Sequence, residues 1–179
     1  LNLTPEPTAP TDLEIVASWT GEKELSPRYL SLEEISRLPS LNLKKKLDVG
    51  EGVQVARGVL LQSLVESIEV GPTEQFMVLA NCSDLYQSNY SFQEMARNRP
   101  VFITHVGERT VQEWADQQGN SGWGPYLIDL QKEKGLVHPA HKKPWGVQQL
   151  ILAPRSELLA DLHSDSLAEK HLSIGIDIF

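Results

Sequence analysis

The amino-acid sequence predicts an α+β domain, and three observations carry this reading. Segments with the β-branched and aromatic content of strands outnumber helical ones. The helices are short and dispersed between them, and no regular strand–helix–strand series runs along the chain. The 12 glycines and 11 prolines are spread over all 179 residues, which suits a domain with many turns. With 40% apolar residues, a chain of this length can bury one substantial core.

The elements follow in order. The opening LNLTPEPTAPTDLE is polar and rich in Pro and Thr, so residues 1–12 read as a tether, with a signal peptide or membrane anchor expected to have been removed upstream. LEIVASWTG (13–21) has the content of a strand. In SPRYLSLEEISRLPS (26–40), Ser31 is a good N-cap and Glu34 stands three residues later, at capping-box spacing. Leu32, Ile35 and Leu38 then form an apolar stripe, and Pro39 stops the helix. LNLKKKLDVGEGVQVARGV (41–59) alternates Leu41 and Leu43, then Val49, Val53 and Val55, with Gly50 and Gly52 between. That pattern predicts two strands around a Gly-rich turn.

LLQSLVESI (60–68) places Leu60, Leu61, Leu64, Val65 and Ile68 on one helical face. QFMVLANCS (75–83) is a buried strand, SFQEMARNR (91–99) a short helix capped by Ser91 with Glu94 three residues on, and VFITHV (101–106) another strand. GERTVQEWADQQGNSGWG (107–124) reads as a long polar loop with Gly119, Asn120 and Gly122 as turn formers. Trp123 in such a loop needs cover from the domain or from a partner. GPYLIDL and WGVQQLILA are strands flanking a loop of histidines, lysines and prolines, and they close the domain at residue 155. SELLADLHSDSLAEKHLSIGIDIF (156–179) is a helix-rich tail.

The formal charge of −8 argues against a protein that neutralises a nucleic-acid backbone, and favours solubility and a basic partner. No apolar run approaches the roughly 20 residues of a membrane-spanning helix. The single Cys82 excludes an internal disulfide and any Cys-rich zinc or iron–sulfur site within the chain. Neither a Gly-rich dinucleotide fingerprint, nor a P-loop, nor a G-x-S-x-G elbow is present, so those enzyme classes lose their best sequence evidence.

The order of segments resembles the oxidoreductase molybdopterin-binding domain of the sulfite oxidase family. SWTGEKELSPRYLSLEEISRLP looks like that family's opening strand and "L-S-L-E-E-L-x-x-L-P" helix. ARGVLLQSLVES is similar to its "W-x-G-V-x-L-x-x-L-L" stretch, with Ala56 near the usual tryptophan. VLANCSDLYQSNYSFQEM looks like its "D-G-Y-x-x-x-x-x-L-x-x-A" turn, with Asp84 and Tyr86 in place and Leu85 where the glycine stands. WGPYLIDL and KKPWGVQQLIL resemble the closing "G-P-x-R-L-V" and "K-W-V-x-x-I" strands. The likeness covers roughly residues 13 to 153 and implies a sulfite-oxidase-like fold with a mixed β-sheet core.

In catalytic members of that family a cysteine thiolate binds molybdenum on a segment before the "G-V-x-L" stretch. Here that segment is LNLKKKLDVGEGVQVARG, which holds no cysteine. Asp48 offers only a carboxylate where a soft sulfur ligand is needed. The arginines are scattered, with no evident clamp for a cofactor phosphate. The tail SLAEKHLSIGIDIF in turn looks like the first helix of a c-type cytochrome domain, with Gly175 and Phe179 at the matching spacing. No haem-attachment Cys pair is present, so haem is expected only in a domain beyond this chain.

Two groups of candidate site residues emerge. Cys82, Asp84 and Tyr86 are the cofactor-binding candidates implied by the resemblance. Read from the residues alone, Cys82 packs in the core, while Asp84 and Tyr86 make an Asx-type turn with a half-buried tyrosine. His138, His141, Lys142 and Lys143, flanked by Trp123 and Trp145, are the partner-binding candidates. They form the most basic stretch of an acidic chain, and tryptophan is enriched at contact surfaces. The plain alternative is a solvated hairpin loop, and two histidines do not complete a tetrahedral zinc shell. His105 ends an apolar strand and reads as a hydrogen-bonded strand-end histidine.

The expectation is therefore a cofactor-free domain, not catalytic alone, that serves as a docking module of a periplasmic or otherwise extracytoplasmic electron-transfer protein. Its expected partner is a c-type cytochrome or another redox protein. The alternatives are a molybdopterin-dependent oxidoreductase with unusual ligation through Cys82, and a small-ligand or peptide binder that uses the former cofactor cleft.

Overall fold

The structure is a computed structural model that describes residues 1–68, 70, 76–136 and 139–154. His138 and the tail 156–179 lie outside the described residues. Strands β1 (Leu13–Ala17), β2 (Ser26–Leu30), β3 (Ser40–Lys46), β4 (Val53–Leu60), β5 (Phe76–Cys82), β6 (Gln87–Ser91), β7 (Pro100–Val106), β8 (Arg109–Thr110), β9 (Tyr126–Leu130) and β10 (Trp145–Pro154) form one branched sheet. Helices α1 (Leu32–Ile35), α2 (Leu61–Glu66), α3 (Phe92–Asn98) and α4 (Val111–Gln117) are short and follow strands. The α+β class expected from the sequence is the class observed.

The sheet runs β2-β1-β10-β9-β7-β4-β3, with β5 and β6 branching from β10 and β8 from β7. The β1–β10 pair is parallel and the others are antiparallel, so the sheet is mixed. Strand β10 is the branch point. Its first residues pair with β9, and past a bulge its remaining length lies between β1 and β5. Gly146 makes this bulge with φ +71°, and a Cβ there would fall 2.4 Å from Gly122 O. Both the left-handed backbone and the close approach require glycine at this position.

Two apolar clusters hold the layers together. The larger joins β1, β5 and β10 to α2 and α3 through Ile15, Leu64, Val78, Tyr90, Met95 and Leu150, and Cys82 belongs to it. The smaller packs Leu41, Leu43, Ala56 and Ile103 against Val111 and Trp114 of α4, with Trp123 and Trp145 at its rim. Ring contact between Trp114 and Trp123, with centroids 5.5 Å apart, supplies the cover that Trp123 needs.

Three segments differ from the expectation. Residues 107–124 are not a loop throughout, because they contain β8, α4 and a 3-10 turn at Ser121–Trp123. Thr110 caps α4 in a complete capping box with Glu113, and this T-V-Q-E spacing was present in the sequence. Ser26–Leu30 is an edge strand that tolerates Pro27, and its outer side bonds to Thr4 through Thr4 N–Tyr29 O (2.9 Å) and Tyr29 N–Thr4 O (2.8 Å). The opening segment, read as a tether, thus lies along β2. Gln87–Ser91 is a largely buried strand that is polar apart from Tyr90, a composition whose strand signal is weak.

Candidate functional site

The turn between β5 and β6 brings the first set of candidates to the surface. Asp84 Oδ1 accepts from Tyr86 N at 3.0 Å, which is the Asx-type turn expected from the residues. Cys82 N donates to Tyr86 O at 2.8 Å and Leu85 N to Cys82 O at 3.1 Å, closing the hairpin. Leu85 is held at φ +72°, a left-handed conformation that a leucine visits rarely and at a cost. Its side chain is 88% exposed.

Cys82 points the other way. It is 3% exposed and lies among the core residues of β5, β10 and α3. Burial, and then the Asp84 carboxylate, push its thiol up to about 12. A thiol so far above neutrality stays protonated and is neither a good nucleophile nor a ready metal ligand. Asp84 and Tyr86, but not Cys82, line the cleft beside the turn.

The opposite wall of that cleft comes from the loop before β10. The hairpin reading of this loop matches the β9–β10 pairing, Trp145 opposite Leu127 and Val147 opposite Tyr126. Residues Pro139–Lys142 form a 3-10 turn whose carbonyls anchor to β6. Tyr86 Oη (3.3 Å) and Ser88 Oγ both donate to His141 O, and Tyr90 Oη donates to Lys142 O at 2.8 Å. Asp84, Tyr86, Ala140, His141, Pro144 and Trp145, with Asp48 and Lys143, enclose about 230 Å³ with a mostly apolar lining.

The structure divides the second set of candidates. His141 and Trp145 reach the cleft, whereas Trp123 packs on Trp114 away from it. Lys142 is 8% exposed, and its Nζ donates to Asn89 O (2.5 Å), Asn89 Oδ1 (3.0 Å) and Glu94 Oε2 (3.3 Å). All three of its donors are therefore used inside the domain. Lys143 Nζ lies 3.0 Å from Glu133 Oε1 and 3.9 Å from Asp48 Oδ1 at the cleft floor. Glu133 also accepts from Lys45, which in turn binds the buried Asp129 at 2.9 Å. Burial alone would raise the Glu133 carboxyl, yet hydrogen bonds from Lys143 and Lys45 outweigh it and hold the group below its ordinary range.

His105 sits on β7 opposite Arg57 and Thr110, outside the cleft, and its Nδ1 is 2.9 Å from Thr104 Oγ1. Burial, and then Arg57, lower its pKa. Among the described residues no three His, Cys, Asp or Glu side chains gather to hold a metal ion. Missed in the sequence were Ala140 and Pro144, which the fold brings to the cleft and which carry no motif of their own, and Asp48, considered there only as a metal ligand, lines the same cleft.

No protein-family model matches the chain, and no curated protein matches it. Among solved structures, the chain is similar to the sulfane dehydrogenase SoxCD from Paracoccus pantotrophus, at 11% identity and a TM-score of 0.54. The match covers 85% of this chain and 39% of that one, so the present chain spans well under half of its neighbour. At that identity the likeness is one of fold alone, a distant architectural relationship.

Proposed function

We propose that the chain is a cofactor-free binding module of sulfite-oxidase-like fold, which docks a redox partner at the Asp84–Trp145 cleft within an extracytoplasmic electron-transfer protein. The observation that carries the docking reading is Leu85. A leucine held in a glycine-like backbone conformation, almost fully exposed, is next in the chain to the half-exposed Tyr86, which lines the cleft together with Trp145. Strain and apolar exposure at one turn are what a surface kept for contact looks like. A c-type cytochrome or another redox protein is the partner class that the sequence resemblance implies.

The residues do not suit a molybdenum–pterin group. The segment that the resemblance matches to the family's thiolate-bearing stretch folds as the hairpin β3–β4 and holds no sulfur. Cys82 is buried with its proton retained, so it is no substitute. Arg28 and Arg37 are spent on Glu22, Glu33 and Glu34 at separate places, and none of the cleft-lining residues is an arginine that could clamp a phosphate. The apolar lining of the cleft favours a second reading, in which it takes a small apolar ligand or one side chain of a peptide.

Metal analysis and an absorption spectrum of the purified protein test the first part, and stoichiometric molybdenum with a pterin chromophore would sink it. Docking is tested by titrating the protein with cytochrome c. Leu85→Gly relieves the backbone and Tyr86→Ala opens the cleft, and each should weaken the complex by about tenfold, the loss of one central contact. An affinity unchanged in both variants removes the cleft from the interface.

A further inference from the structure

The hairpin β3–β4 continues the sheet beyond its core. On the face that buries Val59 and Phe102, the next residues along β4 are Arg57, Val55 and Val53, and these look into solvent. Val53 is 64% and Val55 47% exposed. The cross-strand register sets Asn42 opposite Arg57, Lys44 opposite Val55 and Lys46 opposite Val53. Lys44, Lys46 and Arg57 are exposed, and among the described residues none of the three makes an ion pair. Three unpaired cations around two exposed valines thus stand on a chain of formal charge −8.

Lysine on an outer strand is a common guard against edge pairing. That accounts for Lys44 and Lys46 on β3, the last strand of the order. It does not account for Arg57, Val53 and Val55, which sit on β4, a strand already paired on both sides. Nucleic acid is disfavoured because three cations on one short stretch are too few to neutralise an extended phosphate backbone. The valines, moreover, want an apolar counterpart.

We propose that this face docks an acidic polypeptide segment, with carboxylates that meet Lys44, Lys46 and Arg57 and apolar side chains that cover Val53 and Val55. Lys44 and Lys46 lie two residues apart on an extended strand, about 7 Å, which matches alternate residues of an extended acidic segment. The surface is separate from the cleft, and no residue is shared between them.

The test uses the full chain and a fluorescein-labelled peptide that alternates glutamate with valine, its lysine-for-glutamate counterpart, and heparin. The glutamate peptide should bind and the lysine peptide should not. K44E with R57E should weaken binding by at least about tenfold at unchanged melting temperature, since both positions are exposed. V53T with V55T, which keeps the β-branched shape, should weaken it several-fold. Failure of the glutamate peptide to bind, equal binding of both peptides, or a double charge variant with wild-type affinity overturns the proposal. Heparin binding through the same residues, tighter than that of the peptide, overturns it in favour of a polyanion site.

Discussion

Lys142→Met is the sharpest test of how the cleft is built. Methionine keeps the stem of the lysine and removes the ammonium, so packing is retained while three hydrogen bonds are lost. Two of the acceptors, Asn89 O and Asn89 Oδ1, belong to a buried residue, and leaving each without a donor costs about 1–3 kcal/mol. Glu94 is one-quarter exposed and also holds the capping box of α3, so water and the Ser91 N–H take over part of what it loses. The sum is about 3 kcal/mol, at the low end of what breaking a buried ion pair costs. For a chain of this size that corresponds to a fall in melting temperature of about 6–12 °C. Thermal unfolding followed by circular dichroism measures it, with urea titration as the check. A shift under about 2 °C would mean that the ammonium is solvated and that the 139–145 wall is not anchored through it. The result also separates two roles for a basic loop residue, since a lysine serving a partner would be removable at no cost to the fold.

Three further outcomes are expected. Cys82 should resist a thiol reagent at pH 8 in the native protein and react fully in denaturant, and rapid stoichiometric labelling of the folded chain would contradict its burial. Its folded pKa of about 12 lies above the ordinary value of 9.0, so the folded state holds its proton longer than the unfolded state. The stability this supplies is whole below pH 9 and is lost as the pH rises from about 9 towards 12, and a Cys82→Ser variant should lack that alkaline loss. Gly58→Ala should destabilise the fold by about 3 kcal/mol in urea titration, since the new Cβ would stand 2.1 Å from Phe102 O across the β4–β7 bulge. An unchanged midpoint would mean that those strands can separate freely.

Much of the fold was legible because short-range rules were obeyed. Ser31 and Ser91 cap α1 and α3 as their spacing with Glu34 and Glu94 indicates. The alternation of Leu41, Leu43, Val53 and Val55 marked β3 and β4, though it could not tell which valines would be covered. The Asx turn at Asp84 was likewise readable from its residues. What stayed hidden was polar structure whose reason lies far along the chain. Strand β6 is polar because its Asn89 and Ser88 serve Lys142 and His141, more than 50 residues away, and no local pattern encodes such a pairing.

The chain alone thus determined the fold class, the order of most strands, the lack of sulfur in the 41–57 hairpin and the burial-prone character of its single thiol. Tertiary structure decided which charges face water. Sequence displays Lys142 and Lys143 as the heart of a basic patch, yet folding turns both amines inward and leaves Lys44, Lys46 and Arg57 on an open sheet face, without an ion pair among the described residues. The reason is physical: a lysine stem is long enough to send its charge to either side of a loop, and only the acceptors brought near by distant strands fix the direction.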